Sequence, residues 1–260
     1  MTFIQTTDYF LEHIRADEAT DSKLFRALGE RESIGTTVAG EDIWRGNELT
    51  PAPTSHTTIP TPDSAGEQMT VVSESVNDTI AGSGVQKVRV RWLDETGAAG
   101  SEELDMDGTT GVDLVEANVR FVQDMYATQV GSGGVADDHI KIYKKTDTGL
   151  VYNMIAQGGN KSMVPHRMVP LDKILILKGW HATEAQGKRC AMRIRSTDMN
   201  GALLAGCFCF KDVAYLKQTT SGPLPLYERI PALSIVKVSA WAVLANAEAS
   251  CSWWGSLEDA

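Results

Sequence analysis

Helical periodicity is nearly missing from this sequence, and so are the usual carriers of chemistry. No apolar run approaches the ~20 residues that a membrane helix needs. The opening MTFIQTTDYF has no basic region leading into an apolar one, so no secretory signal is read and a soluble protein made in a cytosol is expected. Cysteine is scarce: Cys190, Cys207, Cys209 and Cys251 all fall in expected strands of the C-terminal half. In a reducing compartment such residues act as small buried hydrophobes rather than as disulfides. Cys207-x-Cys209 has no second Cys or His pair at zinc spacing.

The same poverty holds for catalytic signatures. Five histidines, His13, His56, His139, His166 and His181, accompany no G-x-S-x-G elbow and no recognisable Cys–His arrangement. Gly158-Gly159-Asn160-Lys161-Ser162 sets Asn160 where a phosphate loop needs its Lys, and Gly131-Ser132-Gly133-Gly134 opens no helix. Asp105, Asp107 and Asp113 break the EF-hand pattern at Gly108, and Asp137, Asp138 and His139 suggest at most a calcium ion at a turn. No two carboxylates stand out as a glycosidase pair. The expectation is no catalytic residue, no cofactor and no resident metal.

What is present is β pattern. Val85–Leu93, VQKVRVRWL, puts Val88, Val90 and Trp92 on one face and Lys87, Arg89 and Arg91 on the other, as in a half-buried strand. Because alternation separates Trp92 from the cations, no basic and aromatic nucleic-acid surface forms there. The cations are read as a solvated row, or one that pairs with a neighbour's acids. Met168–Phe210 reads as three consecutive strands, with Asn200-Gly201 as a hairpin signal. Roughly a dozen short strands at sandwich spacing follow from Met69 onward. The fold class is all-β: an antiparallel β-sandwich, jelly-roll or immunoglobulin-like.

Residues 1–66 read differently. Asp8 can cap a short helix with Tyr9, Phe10 and Ile14 on its apolar face, and Asp21 a second with Leu24, Phe25 and Leu28, stopped by Gly29. Ile43-Trp44 sits in a polar stretch and is expected to plug into a pocket. Pro51, Pro53, Pro60 and Pro62 in a Thr and Ser background suggest extended linker. The expected organisation is an N-terminal arm with linker over 1–66 and a β body over 67–260, which can divide into two sub-sandwiches near residue 145.

Charge is uneven. Residues 1–136 hold 9 Lys+Arg against 23 Asp+Glu, and residues 137–260 hold 15 against 11. The acidic balance disfavours nonspecific nucleic-acid binding. Its polarity allows copies to meet head to tail, or the acidic part to face a basic partner.

The order GEDIWRGN, then VVSESVNDTIAGSGVQKVRVRWLDETGAAGSEELDMDGTT, then NVRFVQDMYATQVGSGGVADDHIKIY, then MVPLDKILILKGWHAT resembles a family of tailed-bacteriophage virion proteins. Its members are labelled capsid decoration, head fibre or virion structural protein. The resemblance runs over roughly residues 35–185 and departs at Leu171-Asp172-Lys173, where the family usually has a Gly-Lys-Thr type turn. It implies a β-sandwich subunit in the virion, a homotrimer bound to the major capsid protein on the outside of an icosahedral head. It carries over no catalytic residue. On this reading Tyr9, Phe10, Ile14, Ile43 and Trp44 are the candidate partner-binding anchors, and many weak copies gain avidity. Two alternatives stay open: a head-to-tail adaptor, tail or fibre-base component, and a carbohydrate-binding attachment module using Trp253 or Trp254.

Overall fold

The computed structural model describes residues 22–197, 208–221 and 223–260. Among them the backbone forms seventeen strands, one 3-10 turn at Gly46–Glu48 and no α-helix. In chain order these begin with β1 (Ser22–Ile34) and the short β2 (Glu41–Asp42). Next come β3 (Met69–Ser73), β4 (Val85–Asp94), β5 (Ala99–Asp105), β6 (Val112–Asp113), β7 (Val119–Val130), β8 (Ile140–Lys144) and β9 (Asp147–Ile155). The chain finishes with β10 (Arg167–Met168), β11 (Lys173–Glu184), β12 (Cys190–Ser196), β13 (Cys209–Leu216), β14 (Thr219–Thr220), β15 (Leu224–Ile230), β16 (Ile235–Ala242) and β17 (Ala247–Asp259).

All pairings are antiparallel, and they build two sandwiches, one inserted into the other. In the inserted sandwich, sheet β6-β3-β8-β9 faces sheet β5-β4-β7. Its core holds Val88 and Val90 from β4, Val122 and Met125 from β7, and Ile140 and Ile142 from β8. In the framing sandwich, β1-β17-β11 carries both β14 and β15 on β11, and faces β10-β16-β12-β13 with β2 on β16. The alternating rows Leu175 and Leu177 of β11, Met192 and Ile194 of β12, and Val236, Val238 and Ala240 of β16 fill that second core. The all-β antiparallel sandwich class read from the sequence is what the chain forms.

The N-terminal reading needs correction. Residues Ser22 to Gly29 form no helix. From Ser22 onward they are β1, paired residue by residue with β17 from Ser22↔Glu258 to Arg31↔Ala249. Phe25 and Ala27, two apart, turn to the core while Arg26 and Leu28 turn out. The period is therefore two, and a distant strand supplies the ladder that overrides the local helical spacing. Gly29 does not stop a helix. A Cβ there would meet Pro165 Cδ at 2.2 Å, so glycine is required by a crossing segment. The helix expected to carry Tyr9, Phe10 and Ile14 lies outside the described residues.

The linker is not bare extended chain either. Leu49 and Ile59 join Trp44 against Val151, Met154 and Val164. Thr54 N donates to Gly149 O at 2.8 Å, and Asp42 N to Thr57 O at 2.7 Å, so the proline-rich stretch is strapped to the body. Residue 145 is no boundary: it lies in the β8–β9 hairpin of one sheet. The change of sandwich falls instead between β9 and β10. There Leu93, Phe121, Met168 and Ile235 form an apolar seam. Across it the Gln123 side chain bonds both the N–H and the carbonyl of Met168, as a neighbouring strand would.

Candidate interaction face

Strands β12, β13 and β16 alternate, so one row of each enters the framing core and the other faces away from it. Register sets the outward rows side by side: Ala191 lies between Tyr215 and Trp241, Arg193 between Val213 and Ser239, and Arg195 between Phe210 and Lys237. Ala191 is too small to fill its place. Tyr215 and Trp241 therefore meet edge to face across it, with centroids 6.5 Å apart. Beside them opens a pocket of about 400 Å³, walled by Tyr215, Trp241 and Val243 and rimmed by Arg189 and Lys217.

The Arg193 guanidinium stacks on Trp241 at 4.0 Å and on Phe210 at 4.8 Å, and donates to Val38 O at 2.6 Å. Burial pulls its pKa down and the neighbouring Arg195 pulls the same way. Cation–π contact and one carbonyl hold this charge, with no carboxylate among the described residues in ion-pair range. Tyr215 is 78% exposed and Phe210 55%, and Val38, Val243 and Leu244 are exposed as well. Aromatic residues with arginine, and few acids, are the composition of protein interface cores.

The lower end of the face is anchored. Arg195 and Lys237 stand directly opposite each other, a like-charge pair that is unfavourable alone. Asp42 of β2 answers both, at 3.3 Å from Arg195 and 2.8 Å from Lys237, and also accepts from Ile59 N at 2.9 Å. Phe208 covers the two cations at 5.2 and 4.4 Å. Burial alone would push the Asp42 carboxyl up, but Lys237, His166 and Arg195 together hold it below the usual carboxylate range. Burial, reinforced by Lys237, drives neighbouring His166 down to about 3. Its ring packs edge-on to Phe121 at 4.9 Å and its Nε2 is buried without a partner.

The residues singled out in the sequence fare unequally. Ile43 lies in the framing core and Trp44 in the cluster under the linker, both fully buried, with the Trp44 indole N–H on His56 O at 3.0 Å. They are anchors within their own chain, which corrects their assignment as partner-binding anchors. Tyr9, Phe10 and Ile14 lie outside the described residues. Trp253 is fully buried and donates to Pro165 O at 3.1 Å, so it offers no glycan platform; Trp254 is half-covered by His181 at 5.1 Å. Lys87 pairs with Asp105 at 3.0 Å, Arg89 with Glu103 at 2.9 Å, and Arg91 with Asp124, so that row is neutralised within the chain.

Asp137 accepts from Ser75 and Asn77, Asp138 from His139 N, and His139 Nδ1 from Gln157 N: all three serve turns. Among the described residues no three His, Cys, Asp or Glu side chains gather to hold a metal ion. Burial raises the Cys190 thiol to about 12 and the Cys251 thiol higher still, which marks both as inert packing. The charged cluster at Asp42 went unseen in the sequence, since Asp42, His166, Arg195 and Lys237 are spread over 196 positions. Phe210 and Trp241 gave no local signal, since their own strands hold no arginine and Arg193 and Arg195 stand on β12 between them.

The fold and the face define a two-sandwich β protein with exposed aromatic residues on one sheet. No family model and no curated protein matches the chain. Among solved structures it is similar to two of infectious bursal disease virus. The Gx strain aligns over 91% of this chain and 70% of its own, at 10% identity and a TM-score of 0.21. The Gt strain aligns over 92% and 77%, at 8% identity and a TM-score of 0.15. Overlap that low sets neither fold nor function.

Proposed function

We propose that the chain is a non-enzymatic structural protein of a tailed-bacteriophage virion, a capsid decoration or cement subunit. On this reading it binds the outer surface formed by the major capsid protein, as a homo-oligomer with a trimer the first expectation, and stabilises the head by bridging neighbouring subunits. The observation that carries it is the outward face of β12, β13 and β16, where exposed Tyr215 and Phe210 stand with Trp241 around the buried Arg193. Such a face offers adhesion rather than chemistry. The resemblance of residues 35–185 to virion proteins supports the same reading. Imaging particles of the phage that encodes the chain tests it: density spread over the head supports decoration, and a single ring at the tail or fibre base moves the chain to the adaptor reading. Absence from the particle ends the proposal.

One observation favours a second reading. The Tyr215–Trp241 pocket has the aromatic walls of a carbohydrate site, so the chain could attach to a host glycan. A glycan screen decides: saturable binding lost in Trp241→Ala supports attachment, and no binding leaves the structural role.

A further inference from the structure

We infer that the aromatic–arginine face receives the loop around Val115 from a second copy of this chain, in a head-to-tail contact. The inference deepens the proposed structural role by naming the partner of that face, and rests on it for where the contact is used.

Val115, between β6 and β7, is 88% exposed, the most exposed large apolar side chain among the described residues. Its loop is held in place. Both Glu102 carboxylate oxygens accept the Val115 N–H, at 2.9 and 3.0 Å, and Glu116 accepts the Asn118 N–H at 2.9 Å. An apolar tip is thus presented on a braced loop between two carboxylates, neither of which has a cation in ion-pair range among the described residues. The pocket is its complement. Tyr215, Trp241 and Val243 give apolar walls, and Arg189 and Lys217 give an exposed cationic rim. Neither rim residue has a carboxylate in range among the described residues.

Whole-sandwich charge points the same way. Residues 67–162 hold 8 Lys+Arg against 15 Asp+Glu, whereas the framing sandwich, residues 22–42 with 163–260, is close to balance at 14 against 12. The tip and the pocket are both open in the same molecule, so they do not satisfy each other within one copy. A joint between them is heterologous: every docked copy still offers one free tip and one free pocket, and the assembly closes into a ring or extends into an array.

Sedimentation velocity on the full chain tests this, with Val115→Glu and Tyr215→Glu as variants, both at open surface positions. Wild type should self-associate with concentration. Association should weaken at least ~tenfold between 0.1 M and 1 M salt, as screening shortens from about 10 Å to 3 Å. Each variant alone should be monomeric. An equimolar mixture should form a 1:1 dimer and stop there, because it contains one intact tip and one intact pocket. Milder Val115→Ser and Tyr215→Ser variants, checked by urea unfolding, separate loss of contact from loss of fold. A monomeric wild type overturns the inference, as does a variant that still self-associates or a mixture that does not pair. Monomeric wild type that still coats heads removes this partner and leaves the virion role; self-association by a chain absent from particles does the reverse.

Discussion

Lys237 donates to Asp42 at 2.8 Å, and both side chains are buried. The pair joins β16 to β2, with Arg195 as a third member. Removing one partner of a buried pair leaves an uncompensated charge, which costs more than the pair itself contributes. Asp42→Ala, stranding two cations, is therefore expected to destabilise by about 3–5 kcal/mol. A shift below 1 kcal/mol in urea unfolding, by a rough floor for a buried pair, would sink this account.

His166 sets a pH dependence. In the unfolded chain it takes a proton near 6.5, whereas in the fold it stays neutral down to about 3. Between those values the unfolded state binds more protons, so stability is full above 6.5 and is lost as pH falls toward 3. Asp42, held below its ordinary value, adds further loss at the acid end of this window. Urea midpoints measured from pH 7 to 4 should fall in wild type and fall less steeply in His166→Gln. Equal slopes would refute the assignment.

Trp44→Ala should act on stability. The ring is fully enclosed with Leu49, Ile59, Val151 and Met154, so truncation is expected to cost about 3–5 kcal/mol. An exposed anchor would behave otherwise, with stability unchanged and only attachment lost. Thermal unfolding of the free protein separates the two.

Truncation locates the working boundary. A chain starting at residue 22 keeps β1 and should unfold cooperatively. One starting at residue 35 loses every pairing in the series from Ser22↔Glu258 to Ile34↔Ala247, and uncovers Trp253 from Phe25, now 5.3 Å away. It should be insoluble or protease-sensitive. Equal behaviour of the two chains would show that β1 is dispensable.

The β class was legible because alternation is local: Val88 and Val90 against Arg89 and Arg91 read correctly without any partner strand. Residues 21–29 were not, because Leu24, Phe25 and Leu28 fit a helix as well as a strand until β17, more than 200 positions away, is known. Trp44 was rightly expected to fill a pocket, but nothing local says that the pocket belongs to its own chain. The interaction face was the least legible part. It is assembled from outward rows of three strands, and only register sets Arg193 beside Trp241 and Phe210.

Pairing β1 with β17 also fixes an order of completion during synthesis. All strands of the inserted sandwich emerge between Met69 and Ile155, whereas β1 waits for its partner until Ala247–Asp259 has been made. Of the described strands, the first to be made is thus among the last to be paired. A ribosome-stalled chain ending near residue 200, long enough for β9 to have left the exit tunnel, should already protect β3–β9 from protease while residues 22–34 are still cut. Uniform digestion, or early protection of β1, would reverse that order.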